Sequence, residues 1–482
     1  MAQGESSGSL RTSVVKGGIY LTLRRGVSAA LSLVGALLLT RIVGPENYGL
    51  FNASLAVYGY VQLLGLMGTN VYLIREQRED EMAIFHLAFW WLLAFGTVLT
   101  LVCGAFIALV GHFWVRTEGF IPVSLLMLAN VPLGLIAFVP QSLAEKRLNY
   151  RAVAGVEITS QALYYAASIP LAWHGYGVWA MVAGFWVSQL TLAVGYFVAV
   201  RYYPRWYFNR HSLEHMLRYS FSQAVAIWVY WLRDLAPSLL LLPIAGKEVT
   251  GYFALARRFL TILSFAYETA NRLAVPTFSR VQNDAPRLLR AITEAMQLQV
   301  LMVGIVFVLF QLVAPIILPK VLGDKWDIKH IMIAFTILGI TTTLASLFSI
   351  QGWALFVKGY NWVVFRANAS GAVSMLVLAY IALSLSPEQS YLMAFCLAEL
   401  VSFLPVFWIQ HHGVRKHIGR AEYRLSVVWL FAVVCALLAP WWGWWLYLVA
   451  AALLAQPASL RQMRELYRTL QAMRGATSRP AE

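Results

Sequence analysis

Long apolar runs dominate this chain and limit what it can fold into. Each run is about 20 residues long, which is the length that crosses the hydrocarbon core of a bilayer as a helix, and short segments rich in charge, Gly or Pro separate the runs. Only 12% of the 482 residues are charged, whereas about a quarter are charged in a soluble globular protein. The sequence therefore predicts an all-α integral membrane protein with about 14 transmembrane helices.

The predicted spans are residues 17–42, 49–74, 83–110, 120–140, 152–172, 177–200, 219–243, 251–276, 295–318, 331–356, 362–385, 391–410, 425–440 and 441–458. The tract APWWGWWLY, residues 439–447, is either a turn between the last two spans or the middle of one bent span. Residues 1–16 are polar and rich in Gly and Ser, with no short apolar core before a small-residue cleavage site, so we expect a retained cytoplasmic leader.

Lysine and arginine set the predicted orientation of these spans, because short cytoplasmic loops keep an excess of both. With the N-terminus inside, 25 of the 37 basic residues fall in cytoplasmic segments and six in outer loops. Both termini are therefore predicted to be cytoplasmic. The net charge of +15 follows this topology and suits anionic lipid head groups, whereas nucleic-acid binding would need the basic residues on one folded surface.

One short motif occurs twice, at the same place relative to the spans. GPENYGLF, residues 44–51, follows the first span, and GKEVTGYF, residues 246–253, follows the seventh. In each copy we expect the first Gly to end a helix in the left-handed conformation and the second Gly to let helices approach closely. Two ordinary helical hairpins would give the same pattern, but the recurrence favours two six-span halves of like topology, as in many transporters.

These observations predict two pseudo-symmetric six-helix lobes with additions outside the repeat. The predicted segments are a polar leader at 1–16, a first lobe at 17–200, a basic cytoplasmic linker at 201–218, a second lobe at 219–410, an extra helix pair at 425–458 and a basic cytoplasmic tail at 459–482. The three cysteines lie inside apolar runs without metal or redox spacing, so we expect no metal site and no cofactor.

Several motifs, in order along most of the chain, carry a resemblance to a known family. They are TRIVGPENYGLF (40–51), KRLNYRAVAGVEI (146–158), GYGVWAMVAG (175–184), VTGYFALARRF (249–259), PTFSRVQND (276–284) and VLGDKW (321–326). With these motifs the chain resembles the polysaccharide exporters of the multidrug/oligosaccharidyl-lipid/polysaccharide flippase superfamily, which include the O-antigen and teichuronic-acid type flippases.

The resemblance implies a flippase of the bacterial cytoplasmic (inner) membrane. Such a protein moves an undecaprenyl-diphosphate-linked oligosaccharide to the outer leaflet for export of O-antigen, capsule or exopolysaccharide. It would work as a monomer beside membrane lipids, with a polysaccharide polymerase and a chain-length regulator as partners, and it is not an enzyme. The alternatives left open are a peptidoglycan lipid-precursor flippase and a membrane glycosyltransferase or polymerase of the same pathway.

Ionisable side chains inside the predicted spans mark the candidate site, because each costs about 2.5 to 3.5 kcal/mol in hydrocarbon and should face a cavity, a partner or the interface. The basic members, predicted to bind the diphosphate in a cationic cavity, are Arg24, Arg25, Arg233, Arg257, Arg258 and Arg272. The acidic members, predicted to line that cavity or to couple transport, are Glu157, Asp234, Glu268 and Glu399.

Less specific roles compete with this prediction. Arg24, Arg25, Arg258 and Arg272 lie near span ends, from which a long side chain can reach the interface. The deepest pair, Arg233 and Asp234, suits either pairing between neighbouring helices or a substrate or proton-coupling role. For Glu268 the structural alternative is an ion pair with Arg272, four residues later, and for Glu399 it is an interhelical hydrogen bond.

Overall fold

The computed structural model describes residues 3–75, 81–115, 117–264, 274 and 277–465, and within 3–30 and at positions 32, 222, 223 and 226 it describes the backbone alone. The helices are α1 (Gln3–Leu66), α2 (Thr69–Arg75), α3 (Glu81–Trp114), α4 (Phe120–Leu128), α5 (Val131–Lys146), α6 (Tyr150–Trp173), α7 (Val178–Val200), α8 (Arg210–Trp231), α9 (Leu242–Leu263), α10 (Ala285–Leu322), α11 (Ile328–Val357), α12 (Asn361–Leu385), α13 (Tyr391–His417), α14 (Arg424–Trp442) and α15 (Trp445–Leu454). No strand occurs among the described residues, so the all-helical prediction is confirmed.

Ten stretches of the described helices are long and apolar enough to cross a membrane. The predicted count of 14 is higher, partly because two pairs of predicted spans continue into each other, within 33–66 and within 227–263. The helix α6 is not among the ten, and α15, with 10 residues, is too short to be counted. The multi-pass membrane architecture stands, and the number 14 stays a prediction.

The two copies of the repeated motif join helices through single residues. Gly44 interrupts α1 with φ 78° and ψ 173°, and Gly246 interrupts α9 with φ 84° and ψ −179°. The positive φ agrees with the sequence prediction, but the left-handed helical conformation is wrong, because ψ near 180° places both residues in a region that glycine alone populates readily. Each junction is therefore a sharp change of helix direction without a loop.

The structure divides into two compact units. The first comprises residues 1–254 with 321–326, and the second comprises 255–320 with 327–482. In the first unit Gly184 of α7 lies against the Tyr164 carbonyl and Ser168 of α6. Small residues let membrane helices pack closely, and close packing at glycines recurs in the second unit. The predicted lobes at 17–200 and 219–410 stay a prediction.

The second unit packs its helices through small residues as well. Gly371 of α12 lies against Val406 of α13, and Gly352 of α11 lies against Gln410 of α13. At the chain's end, α14 and α15 meet at Gly443, which has φ 126°, so the tract 439–447 forms a turn between two helices. Three alanines from α14 and α15 form the centre of their contact.

Candidate functional site

A buried ion pair lies in the second unit between α9 and α13. Nη1 of Arg257 donates to Oε1 of Glu399 at 2.6 Å. The Glu399 side chain is only 7% exposed, whereas the Arg257 side chain is 39% exposed. A buried carboxylate is tolerated when a cation neutralises it, and arginine does this with a short, charge-assisted hydrogen bond. The sequence predicted both residues for the site, and the structure brings them together.

The polar face of α9 continues from Arg257 in a way that satisfies its own hydroxyls. Thr261 donates to the Arg257 carbonyl at 2.9 Å, and Ser264 donates to the Leu260 carbonyl at 2.6 Å. Thr261 is exposed, whereas Ser264 is buried, and Arg258 is half-buried on the neighbouring side of the helix. The hydroxyls of this face therefore do not by themselves require a ligand, and the arginine is the part of the face suited to an anion.

The other deep pair lies where the helix after α8 changes type. Arg233 and Asp234 belong to a 3-10 turn, Leu232–Leu235, which is followed by a π-helical turn, Pro237–Leu241. Pro237 causes the change, because it has no N–H to donate to the Arg233 carbonyl four residues earlier, and the Ala236 amide donates to that carbonyl instead. Both charged side chains are half-buried.

Hydrogen bonds fix this broken helix to the part of α1 that follows Gly44. Ser238 donates to the Ala53 carbonyl at 2.7 Å, and Trp228 donates through Nε1 to the Leu63 carbonyl at 3.2 Å. In return, the Tyr60 hydroxyl donates to the Trp228 carbonyl at 3.3 Å. Irregular turns inside membrane helices recur at functional sites, and these contacts hold this one in a defined position.

Glu157 faces a neighbouring helix. Its Oε1 accepts a hydrogen bond at 3.2 Å from the hydroxyl of Tyr196 in α7. Tyr196 is only 2% exposed. Farther along α6, Tyr164 and Ser168 lie against Gly184 of α7. The structure thus places Glu157 in an interhelical contact within the first unit.

Four predicted residues cannot be placed by their side chains. Arg24 and Arg25 lie on the helical backbone of α1, but their side chains fall outside the described residues. Glu268 and Arg272 lie wholly outside the described residues. For these four positions the predicted roles stay predictions.

One buried cluster escaped sequence reasoning. Trp326, which is 4% exposed, lies edge-on against Tyr48 and Tyr252, with both ring centroids 5.9 Å away, and its Nε1 donates to the Thr40 carbonyl at 2.8 Å. Next to it, Nζ of Lys325 donates to the Ile42 carbonyl at 2.6 Å. The motif VLGDKW carried a signal for this cluster only through the family resemblance.

Within the described residues, no group of three or more His, Cys, Asp or Glu is placed to hold a metal ion. The arrangement offers a half-exposed guanidinium held by a buried carboxylate, and separately a charged pair in a broken helix. The first can bind an anionic group, and the second provides charged side chains inside a membrane helix that can contact a ligand.

Comparison with known proteins gives consistent matches. The profile of the family described as "Polysaccharide biosynthesis protein" matches residues 38–331. The succinoglycan biosynthesis transport protein ExoT of Rhizobium meliloti (strain 1021) is 26% identical over 385 residues, which is 79% of this chain and 76% of that protein. The lipopolysaccharide biosynthesis protein WzxC of Escherichia coli (strain K12) is 21% identical over 431 residues, which is 88% of this chain and 85% of that protein.

Solved structures show the same fold. The lipid II flippase MurJ, in an inward closed conformation, matches with a TM-score of 0.69 at 12% identity and covers 95% of this chain and 99% of its own. An inward-facing multidrug resistance transporter of the MATE family matches with a TM-score of 0.59 at 14% identity and covers 81% of this chain and 96% of its own. At these identities the likeness establishes the fold alone.

Proposed function

This chain belongs to the polysaccharide biosynthesis protein family, and on that premise we propose that it is a flippase for an undecaprenyl-diphosphate-linked oligosaccharide. It would carry this lipid from the cytoplasmic to the outer leaflet of the bacterial inner membrane by alternating access. The polymer built from it would be a lipopolysaccharide O-antigen, a capsule or an exopolysaccharide. The names of the relatives, a succinoglycan transport protein and a lipopolysaccharide biosynthesis protein, support this class of cargo.

The Arg257–Glu399 pair is the observation that carries the proposal. A planar guanidinium with five N–H donors suits a diphosphate, and 39% of the Arg257 side chain is exposed, so that an anion can reach it. Glu399 holds the guanidinium in place from the buried side. We assign Arg257 to binding the diphosphate and Glu399 to positioning Arg257.

The broken helix at Arg233 and Asp234 is the second element of the proposed site. Interrupted membrane helices in transporters expose backbone groups and charges where a substrate or a coupling ion binds. We assign Asp234 to coupling and Arg233 to the substrate head group. Arg24, Arg25, Arg258 and Arg272 remain proposed members of the cationic set, with Glu157 and Glu268 as proposed lining residues.

The test in cells replaces the native gene with variants and measures surface polysaccharide together with the lipid-linked intermediate. Arg257→Ala should abolish surface polymer and leave the intermediate in the cytoplasmic leaflet, while Arg257→Lys, which keeps the charge but not the fork, should retain a fraction. The control is Arg287→Ala, because Arg287 is 79% exposed and pairs with Asp284 outside this site. Normal polymer from Arg257→Ala at normal protein level would remove the residue from the site.

A reconstituted assay separates the proposal from its alternatives. Purified protein in vesicles is given either an undecaprenyl-diphosphate oligosaccharide or a peptidoglycan lipid precursor, and the glycan that reaches the opposite leaflet is measured with an enzyme that cannot cross the membrane. Transfer of the oligosaccharide alone supports the proposal. Transfer of the peptidoglycan precursor alone, or incorporation of new sugar by the protein itself, would assign the chain to one of the other two functions.

A further inference from the structure

Two adjoining cavities lie in the second unit, on the side that the sequence predicts to be cytoplasmic. The larger, of 810 Å³, lies between the first turns of α10, the start of α14 and residues 456–465. The smaller, of 280 Å³, lies at the end of α13. Arg420 and Ala421 line both cavities, so the two cavities are neighbours on either side of these residues.

The smaller cavity is basic. Arg415, Arg420, His411 and Tyr423 line it, and it has no carboxylate in its wall. Neither arginine forms an ion pair with any residue in the described part of the chain. Burial raises the pKa of Tyr423 to about 12, so its hydroxyl stays protonated and can donate a hydrogen bond. These groups together suit a phosphate, which accepts several charge-assisted hydrogen bonds.

The larger cavity contains acceptors that lack donors, although arginines also line it. Its charged wall residues are Arg290, Arg420, Arg424, Glu294, Glu422 and Glu465. Gln297 lines it and is only 3% exposed, yet its Oε1 has no hydrogen-bond partner among the described residues. Glu294, nearly one turn before Gln297 on α10, is half-buried in the same wall, and it forms no ion pair with any described residue. A buried acceptor left without a donor costs about 1–3 kcal/mol, so this wall suits a ligand that brings N–H groups.

The walls of both cavities are held by buried contacts. Gly419, with φ 143°, packs so closely on Leu289 that a Cβ there would lie 2.9 Å from it, and this contact brings the α13–α14 connection onto α10. On the other side, Nε1 of the fully buried Trp429 donates to Oγ of the fully buried Ser459 at 3.0 Å, which fixes the segment 456–465. The cavities are therefore part of the packed structure.

We propose that the two neighbouring cavities together bind a phosphate ester that carries an amine, with the phosphate at Arg415 and Arg420 and the amine toward Glu294 and Gln297. An ammonium group has three donors, which suit a carboxylate and an amide oxygen. The head group of phosphatidylethanolamine and soluble phosphoethanolamine compounds share this chemistry. The site is separate from the proposed flippase site and does not depend on it.

Exposed arginines are common at a cytoplasmic membrane surface because they set the orientation of the spans. The experiment therefore needs a control arginine on the same side that lines neither cavity. Arg287 meets this need, because it lies on the same first turns of α10, is 79% exposed, pairs with Asp284 and lines neither cavity. Its replacement by alanine removes the same charge from the same side of the protein.

The binding test uses the purified full chain and two soluble probes, glycerophosphoethanolamine and glycerophosphoglycerol, with affinity measured by calorimetry. The amine probe should bind saturably, and Arg420→Ala and Arg415→Ala should each weaken it at least about tenfold, while Arg287→Ala leaves it unchanged. Glu294→Gln should remove the preference for the amine probe. Equal binding of the two probes by the unaltered protein, or equal losses in Arg287→Ala and Arg420→Ala, would overturn the proposal.

A second arm distinguishes the source of the ligand. The protein is placed in nanodiscs of phosphatidylcholine containing either phosphatidylethanolamine or phosphatidylglycerol, and its thermal unfolding midpoint is measured. If phosphatidylethanolamine raises the unfolding midpoint and Arg420→Ala removes this increase, the site binds a lipid head group. Binding of the soluble probe without such a rise assigns it to a soluble compound, and the absence of both effects would contradict the proposal.

Discussion

The two copies of the repeated motif share a backbone but differ in what their side chains hold. Gly44 and Gly246 have nearly the same dihedral angles. Five residues later the copies touch reciprocally: a Cβ on Gly49 would strike the Lys247 carbonyl, and one on Gly251 would strike the Pro45 carbonyl. Because positions 45 and 247 are equivalent in the two copies, this is a two-fold contact within the motif.

The side chains that are not repeated show the difference. In the first copy, Asn47 accepts a hydrogen bond at 3.2 Å from the Val178 amide at the start of α7, far along the chain. In the second copy, the bonds close locally, from Tyr252 to Glu248 at 2.8 Å and from Thr250 to the Gly246 carbonyl at 2.8 Å. The repeated glycines thus specify the backbone path, and the other residues specify what each copy is attached to.

The largest expected effect comes from the residue that contacts both copies. Trp326→Ala removes a buried ring from between Tyr48 and Tyr252 and should lower the free energy of unfolding by about 3–5 kcal/mol. Thermal unfolding of the detergent-solubilised protein measures this. Trp442→Ala is the control, because Trp442 is 71% exposed and should change little. Similar losses in both variants would show that the contact with the motifs is unimportant.

The reciprocal contact predicts equal costs in the two copies. Gly49→Ala and Gly251→Ala should each destabilise the protein by about 1–3 kcal/mol, since either Cβ forces the same two backbones apart. The double variant should lose less than the sum, because one separation relieves both clashes. The control is Gly59→Ala, which lies in α1 like Gly49 but has no atom near its added Cβ, so it should be neutral or stabilising. Additive losses would contradict a shared contact.

The junction glycines test the backbone alone. Gly44→Ala and Gly246→Ala should each cost about 1–3 kcal/mol, because both dihedral pairs are unfavourable for a residue with a Cβ. Gly246 is the cleaner case, since no atom lies within 4 Å of the added Cβ and only backbone strain can act. Gly155→Ala, in regular α6 with equal space, should gain stability. A neutral Gly246→Ala would mean that the junction can take another conformation.

The smallest expected effect concerns the hydrogen bond from Val178 to Asn47, which belongs to the first copy of the motif. Asn47→Ala leaves the buried Val178 amide without its acceptor, removes the donation from Nδ2 to the Val43 carbonyl and should cost about 1 kcal/mol. Asn47→Asp also loses that donation but keeps the acceptor for Val178, so it should cost less. At the equivalent position, Val249→Ala removes no hydrogen bond to a distant helix. Equal losses at Asn47 and Val249, measured by the same unfolding midpoint, would remove the difference between the copies.

Sequence reasoning reached those features that depend on local pattern. The membrane helices and the positive φ at Gly44 and Gly246 follow from residue type and spacing, and the family resemblance rests on the ordered motifs. All three predictions are confirmed. The predicted left-handed conformation at these glycines was wrong in its ψ angle. Helix C-termini usually end in that conformation, whereas these junctions continue directly into another helix.

Contacts between distant residues were beyond the sequence. Arg257 and Glu399 are 142 positions apart, and nothing in either span indicates that their helices meet. Trp326 lies in a loop that the sequence predicts to be on the outer side, where aromatic rings usually mark the interface, yet it is buried. Burial of this kind depends on tertiary packing, which residue type and periodicity do not determine.

The absence of a loop at Gly44 and Gly246 also limits how the gene can change length. One inserted or deleted residue between Gly44 and Gly49 would rotate the following helix by about 100° and turn Gly49 away from the Lys247 carbonyl. The same holds between Gly246 and Gly251. Insertions and epitope tags should therefore be rejected between Gly44 and Gly49 and between Gly246 and Gly251, which makes the fixed length of these intervals a more demanding signature than their composition.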